Sequence, residues 1–340
     1  MSGNVKKEFG DYQTPLDFCY RVCNYIKESR LAEDAAAIME PTCGVGNFLL
    51  AASNTFACSK LIGIEVNAKR ADAARIEVPS ATIETNDIFN VSTKTLCGED
   101  CVLVIGNPPW ATNSELSFNL PPKTNFKGLR GIEAITGSSN FDICEYIILK
   151  LIGEYKHTNS TICMLCKTSV ARNVVSELSR NHIAYQKVEM LNFNSSKIFG
   201  ISASACVLII KLSTDEACAG EIVCEVKDFD KKSVIDTLIV SGDTVKTART
   251  ITDLEGKCQF VWRQGVKHDC GKVMELDRKD NDFINKNKTA VRLENGLVFP
   301  LVKSSHFKKP IQICYRNTNE AETRYRIHPK RVPAYLEIPK

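Results

Sequence analysis

The tetrapeptide Asn107-Pro108-Pro109-Trp110 follows closely on the apolar run Cys101–Ile105. A strand ending here delivers a side-chain amide, two prolines and an aromatic ring to one point. The Asn107 side-chain oxygen and the Pro108 carbonyl can each accept a hydrogen bond from an exocyclic NH2 group. The prolines fix φ and keep that backbone stiff. Trp110 offers a flat face to a base taken out of its stack. The grouping suits holding a planar amino group while a methyl group is transferred to it. Taken by itself, it also reads as a strand-ending turn with an aromatic cap.

Three segments upstream add to it. Glu40-Pro41-Thr42-Cys43-Gly44-Val45-Gly46-Asn47-Phe48 follows a strand pattern and opens a helix pattern. Gly44 and Gly46 allow a tight turn and close approach of backbone to a ligand. Glu65, in Gly63-Ile64-Glu65-Val66-Asn67, places an acid at a strand end, where a carboxylate can accept both hydroxyls of a ribose. Asp87, in Thr85-Asn86-Asp87-Ile88, offers an acid for an adenine amino group, with Ile88 as an apolar neighbour for the ring. Each has a plainer reading: Glu65 as a charge at a helix start, Asp87 as a turn residue. Their succession at the ends of consecutive strands, with the tetrapeptide fourth, favours one ligand-binding edge.

The elements that must position these residues alternate. Residues Thr14–Arg30 read as an amphipathic helix with Leu16, Tyr20, Cys23 and Ile26 near one stripe and Pro15 in the first turn. Strand patterns follow at Ala36–Met39, Lys60–Val66, Ala81–Glu84, Cys101–Ile105, Thr161–Lys167, Lys187–Phe193 and Ala205–Leu212. Helix patterns lie at Asn47–Asn54, Ala68–Ile76, Phe141–Tyr155 and Ser169–Arg180. This alternation predicts a doubly wound, mostly parallel sheet, which binds ligands outside the carboxyl ends of its strands. Residues 111–140 are rich in Asn, Ser and Thr and carry Lys123, Lys127 and Arg130; a long loop directly after the tetrapeptide reads as a substrate-closing lid.

The chain of 340 residues is long enough for a large domain and a second unit. We expect a catalytic domain over 1–215, a junction over 216–255 and a smaller mixed α+β recognition region over 256–340. From residue 241 onward there are 20 Lys and Arg against 12 Asp and Glu, a net +8, which leaves −4 for the rest. A basic C-terminal part fits a nucleic-acid surface or a solvated basic face. No apolar run is long enough to span a bilayer and the N-terminus has no apolar core of a signal peptide, so a cytoplasmic location is expected. Of the 15 cysteines, many sit in apolar runs and read as reduced core residues. Cys163 and Cys166 have CxxC spacing within a strand pattern, which points them to opposite faces. No second CxxC accompanies them, and no metal site is expected.

On these residues the chain resembles the class I S-adenosylmethionine-dependent amino-methyltransferases of DNA. Within them it resembles the N6-adenine group of restriction–modification systems in the gamma motif order, in which an extra cofactor motif precedes the glycine turn and target recognition follows catalysis. Phe9-Gly10-Asp11-Tyr12-Gln13-Thr14-Pro15 stands where that extra motif belongs. The resemblance extends to about Leu212 and implies a Rossmann-like methyltransferase fold. It implies that Tyr12 and Thr14 border the methionine end of the cofactor, with Glu40, Gly44 and Gly46 beneath it. Glu65 would hold the ribose, Asp87 and Ile88 the adenine, and Asn107, Pro108 and Trp110 the flipped base. Asn140-Phe141-Asp142 resembles the segment opening the helix after the lid. Lys197-Ile198-Phe199 resembles the element bringing a second aromatic, Phe199, against the base, with Phe193 as a near competitor. The implied partners are double-stranded DNA and a separate restriction endonuclease. Residues 262–270 and 295–305 resemble stretches after the catalytic domain of larger type II enzymes, which continue well beyond Lys340; a shortened or truncated member is one reading. His268-Asp269 reads as a structural pair.

Neither Asn nor Pro can act as a base, so activation must come from orientation and polarisation of the amine. Ring-carbon methylation of cytosine would call for a Cys after Pro, and no Pro-Cys pair occurs. Asp215 with Glu225 and Lys227 faintly echoes a nuclease D…ExK, without room for a nuclease core. Competing readings are an N4-cytosine DNA or RNA amino-methyltransferase, a protein-glutamine methyltransferase, a non-catalytic nucleic-acid-binding relative, and a nicotinamide-dependent oxidoreductase. The last lacks the third glycine of GxGxxG.

Overall fold

A computed structural model of the chain describes residues 13–57, 60–98, 100–110, 142–242, 244–248, 271–279, 282–291, 293, 298–301 and 311–314. It divides into two units, Met1–Asp253 and Leu254–Lys340.

The first unit is built from α1 (Leu16–Glu28), β1 (Ala37–Glu40), α2 (Asn47–Thr55), β2 (Lys60–Glu65), α3 (Ala68–Glu77), β3 (Ala81–Thr85), α4 (Thr93–Cys97) and β4 (Val102–Gly106). It continues through α5 (Ile143–Tyr155), β5 (Thr161–Lys167), α6 (Thr168–Arg180), β6 (Tyr185–Phe193), α7 (Ser195–Phe199), β7 (Ala205–Leu212), β8 (Ile222–Asp228), β9 (Val234–Ser241) and β10 (Thr244–Thr247). The strands form one sheet in the order β10-β9-β8-β6-β7-β5-β4-β1-β2-β3. From β5 to β3 every neighbouring pair is parallel. β7 lies antiparallel between β5 and β6. The sheet is therefore doubly wound, with its switch point between β1 and β4.

Burial explains the central strands. β1, β4 and β7 are buried along their whole length, as expected for strands covered on both faces. α6 turns Val170, Ala171, Val174, Val175 and Leu178 to the core at helical spacing. α1 begins one residue after Pro15, whose carbonyl accepts from the Phe18 and Cys19 amides. Its buried face is Phe18, Cys19, Val22, Cys23, Tyr25 and Ile26. Leu16 and Tyr20 sit at its margin, so the stripe is rotated from the expected one. α1 is also tied across the sheet: the buried Glu189 on β6 accepts from Tyr25 Oη at 2.9 Å, from Lys187 at 2.8 Å and from Lys227 on β8.

The expected junction over 216–255 requires correction. β8 pairs parallel with β6, and β9 and β10 extend the sheet antiparallel. Alternating burial along β8 (Ile222, Cys224 and Val226 inward) makes these short β-like runs sheet edge and not linker. Within them Asp215 caps a short turn by accepting from the Ala217 amide, and Lys227 pairs with Glu189 and Glu225. The nuclease-like echo is thus spent on local structure.

The second unit contains α8 (Gly271–Met274), β11 (Glu275–Lys279), β12 (Asp282–Asn285), β13 (Ala290–Val291), β14 (Val298–Leu301) and β15 (Ile311–Cys314). Its antiparallel sheet has the order β13-β12-β11-β15-β14. Among the described residues no helix is long and apolar enough to cross a membrane.

Candidate functional site

A cavity of about 300 Å3 opens outside the carboxyl ends of β1, β2, β3 and β4. Its position matches the switch point between β1 and β4, where doubly wound sheets bind ligands.

The turn after β1 forms its floor. Gly44 has φ +54° and Gly46 φ +91°, so both take the left-handed conformation that favours glycine. A Cβ on Gly44 would also lie 2.7 Å from the Gln13 side-chain oxygen. The turn is held from two sides. Glu65 Oε2 accepts from the Gly44 amide at 2.9 Å, and Glu40 Oε2 accepts from the Leu49 amide in the first turn of α2 at 3.2 Å. Burial pushes the Glu40 carboxyl well above its ordinary range; the Leu49 amide opposes this and the neighbouring Glu65 adds to it.

Thr14, Glu40, Gly44, Glu65, Asp87, Ile88 and Asn107, all singled out in the sequence, line this one cavity. Gly46 does not; it starts α2 beneath. Asp87 keeps its plainer role as well, since Oδ1 accepts from the Phe89 amide at 2.9 Å. Thr14 is anchored through its carbonyl by Asn47 Nδ2 at 2.8 Å. Tyr12, the 111–140 stretch, Trp262 and His268-Asp269 lie outside the described residues. Sequence reasoning missed Gln13, Asn47, Arg70, Phe89 and Ile143 as lining residues. Their shared signal is position one to five residues beyond, or just before, a motif at a helix start. Asn67 marks one such start by accepting from the Lys69 and Arg70 amides.

The tetrapeptide divides its members. Asn107 and Pro109 line the cavity; Pro108 and Trp110 are buried behind it. The Trp110 indole Nε1 donates to the Leu165 carbonyl on β5 at 3.2 Å. Its ring meets Phe199 edge-on, with centroids 5.5 Å apart at 72°. Phe193 packs on Phe18 at 4.9 Å and on Phe199 at 6.1 Å, so the described contact with Trp110 is made by Phe199.

Eleven of the described cysteines are free thiols, and nine of these are buried. Burial pushes Cys23 and Cys224 up to about 12 and Cys43 higher still, which keeps them protonated and poor nucleophiles. Among the described residues no group of three or more His, Cys, Asp or Glu is arranged to hold a metal ion.

A doubly wound sheet with a carboxylate-lined cavity at its switch point and an Asn-Pro-Pro-aromatic strand end beside it defines a Rossmann-like protein of the methyltransferase kind. M.NspV, a type II methyltransferase of Nostoc sp., is 33% identical over 326 residues, covering 90% of this chain and 67% of the relative. M.CvrRI, a type II methyltransferase of a Paramecium bursaria Chlorella virus, is 29% identical over 170 residues, 50% of this chain and 39% of the relative. The chain belongs to the type II methyltransferase family. No protein-family model matches it. Among solved structures, the methyltransferase subunit of the type I restriction–modification system of Streptococcus thermophilus superposes with a TM-score of 0.47 at 15% identity, covering 68% of this chain and 56% of that one.

Proposed function

We propose that the protein transfers a methyl group from S-adenosylmethionine to the exocyclic N6 amine of a flipped adenine in double-stranded DNA. The observation that carries this is the meeting of Asn107 with Glu40, Glu65 and Asp87 in one cavity.

The cavity residues fit the cofactor. Thr42 Oγ1 is buried in the wall and makes no hydrogen bond within the protein, leaving a polar group for a ligand to satisfy. Three carboxylates suit a molecule with a cationic centre and vicinal hydroxyls. Glu65 would hold the ribose hydroxyls; Asp87 and Ile88 would take the adenine amine and ring. Thr14 and Glu40, with Tyr12, would border the methionine end. When bound, the cofactor supplies an electrophilic methyl group.

On the substrate side, the Asn107 side-chain oxygen and the Pro108 carbonyl each accept a hydrogen bond from the target amine. That fixes its lone pair toward the cavity, and orientation replaces a general base. Extruding the base costs a few kcal/mol; stacking on Trp110, with Phe199 against it, returns roughly 1–3 kcal/mol. The cofactor-binding region precedes the tetrapeptide and a basic unit follows, which supports the gamma order and a recognition role for the C-terminal unit. A separate endonuclease of matching specificity would be its partner.

Incubation with methyl-labelled S-adenosylmethionine and unmodified duplex DNA, followed by digestion to nucleosides, tests this. The expected product is labelled N6-methyl-2′-deoxyadenosine. Label in N4-methylcytosine would reassign the base, and label in RNA alone would reassign the substrate.

A further inference from the structure

The end of β5 gathers two parts of the site at one point. The Leu165 carbonyl accepts from the Trp110 indole at 3.2 Å and from Cys144 Sγ, in the first turn of α5, at 3.7 Å. Two residues further, Lys167 Nζ donates to Asp142 Oδ2 at 2.9 Å. Asp142 Oδ1 accepts from the Cys144 amide at 3.0 Å and caps α5. Lys167 is itself the residue from which α6 starts. Strand end, indole and the first turns of two helices are joined in one closed set of bonds. The Asp142 side chain is 10% exposed and that of Lys167 28%, so the pair is shielded from the screening that weakens surface pairs. An Asp cap needs no lysine to work; what the lysine adds is a fixed distance between α5 and the strand that holds Trp110. Ile143, next to Asp142, lines the cofactor cavity.

We propose that Lys167 is a positioning residue for methyl transfer: through Asp142 it locks the first turn of α5 to the end of β5 and so sets the plane of Trp110. This rests on Trp110 as the platform for the flipped base. Lys167 touches neither base nor cofactor in this role.

The test uses the full chain with Trp262→Phe, so that tryptophan emission reports Trp110 alone. Lys167→Met, Lys167→Arg, Asp142→Asn and the Asp142→Asn/Lys167→Met double variant are compared. Three quantities are read: emission, S-adenosylmethionine affinity by calorimetry, and single-turnover methylation of unmodified genomic DNA. Lys167→Met should shift the emission and slow transfer about tenfold while cofactor affinity stays within about twofold. Lys167→Arg should restore most of the rate, and the double variant should be no slower than Lys167→Met, because both remove one interaction. An unchanged emission and rate in Lys167→Met, equal losses of rate and cofactor affinity, or multiplying losses in the double variant would overturn the proposal. If Lys167→Met does not fold, Asp142→Asn carries the same readings. Trp110→Ala separates the two ideas: slow transfer there with a parental rate in Lys167→Met sinks the positioning role alone, whereas a parental rate in Trp110→Ala sinks the platform and the positioning role with it.

Discussion

Glu65 Oε2 accepts the Gly44 amide at 2.9 Å while its other oxygen accepts the Asn67 amide at 2.7 Å. One buried carboxylate thus ties the turn after β1 to the start of α3, across the mouth of the cavity. The same carboxylate lines the cavity, so on the proposed reading structure and binding would draw on one group. Glu65→Gln should weaken S-adenosylmethionine binding by about 1.5–3 kcal/mol, since a hydrogen bond to a charged group is lost on both counts. Calorimetry checks it; an unchanged dissociation constant would remove Glu65 from the binding site.

Asn107→Ala removes the proposed acceptor for the target amine and leaves the carboxylates of the cavity in place. Transfer should fall by at least about 100-fold, the usual effect of deleting one preorganised polar group at a reacting centre. Cofactor affinity should stay within a few fold. Retained transfer would refute the amino-group grip.

Trp110→Ala should weaken the engagement of an extrahelical base by about 1–3 kcal/mol. DNA carrying a fluorescent base analogue at the target position reports this directly. Because Trp110 lies behind the cavity wall and not in it, cofactor binding should change less; equal losses of both would count against stacking.

Glu40 sets a pH dependence. Burial raises its carboxyl well above the ordinary value, so the folded state holds a proton that the unfolded chain releases near pH about 4.3. The contribution of Glu40 to stability is complete below that pH and declines as pH rises toward the folded-state pKa. Glu40→Gln has no proton to lose, so its urea midpoint relative to the parent should improve as pH is raised from 4 toward neutrality. A difference that does not vary with pH would show that burial does not raise the Glu40 carboxyl above its unfolded value.

Truncation after Asp253 removes much of the chain's positive charge together with the second unit. DNA affinity should drop and its dependence on salt should flatten, because fewer phosphates are neutralised. An identical salt slope in the truncated and full chains would make the basic region a solvated surface.

Much of the first unit could be read along the chain. β5 at Thr161–Lys167 and β7 at Ala205–Leu212 have the bounds that their apolar runs indicate, because a continuous buried strand announces itself by composition over its own length. The β8–β10 extension could not be read that way: these strands are half-exposed, and their mixed pattern acquires meaning only beside β6. Glycines at the turn and acids at strand ends were also visible, since backbone conformation and strand termination are local properties.

Which strand stands beside which is not local. Asn107 shares a cavity with Glu40 because β4, fourth in the chain, pairs with β1. Strand order is chosen by burial of both sheet faces and by the hand of the crossovers, which no single segment encodes. The same holds for Trp110. Its place after a strand is written in the sequence; its bond to Leu165, 55 residues away, and its edge contact with Phe199 came only with the packed sheet. The sequence by itself determined the residue types that can grip an amine and a cofactor, and the elements that end in them. The tertiary structure decided that they converge, because convergence is a property of how the whole apolar core closes.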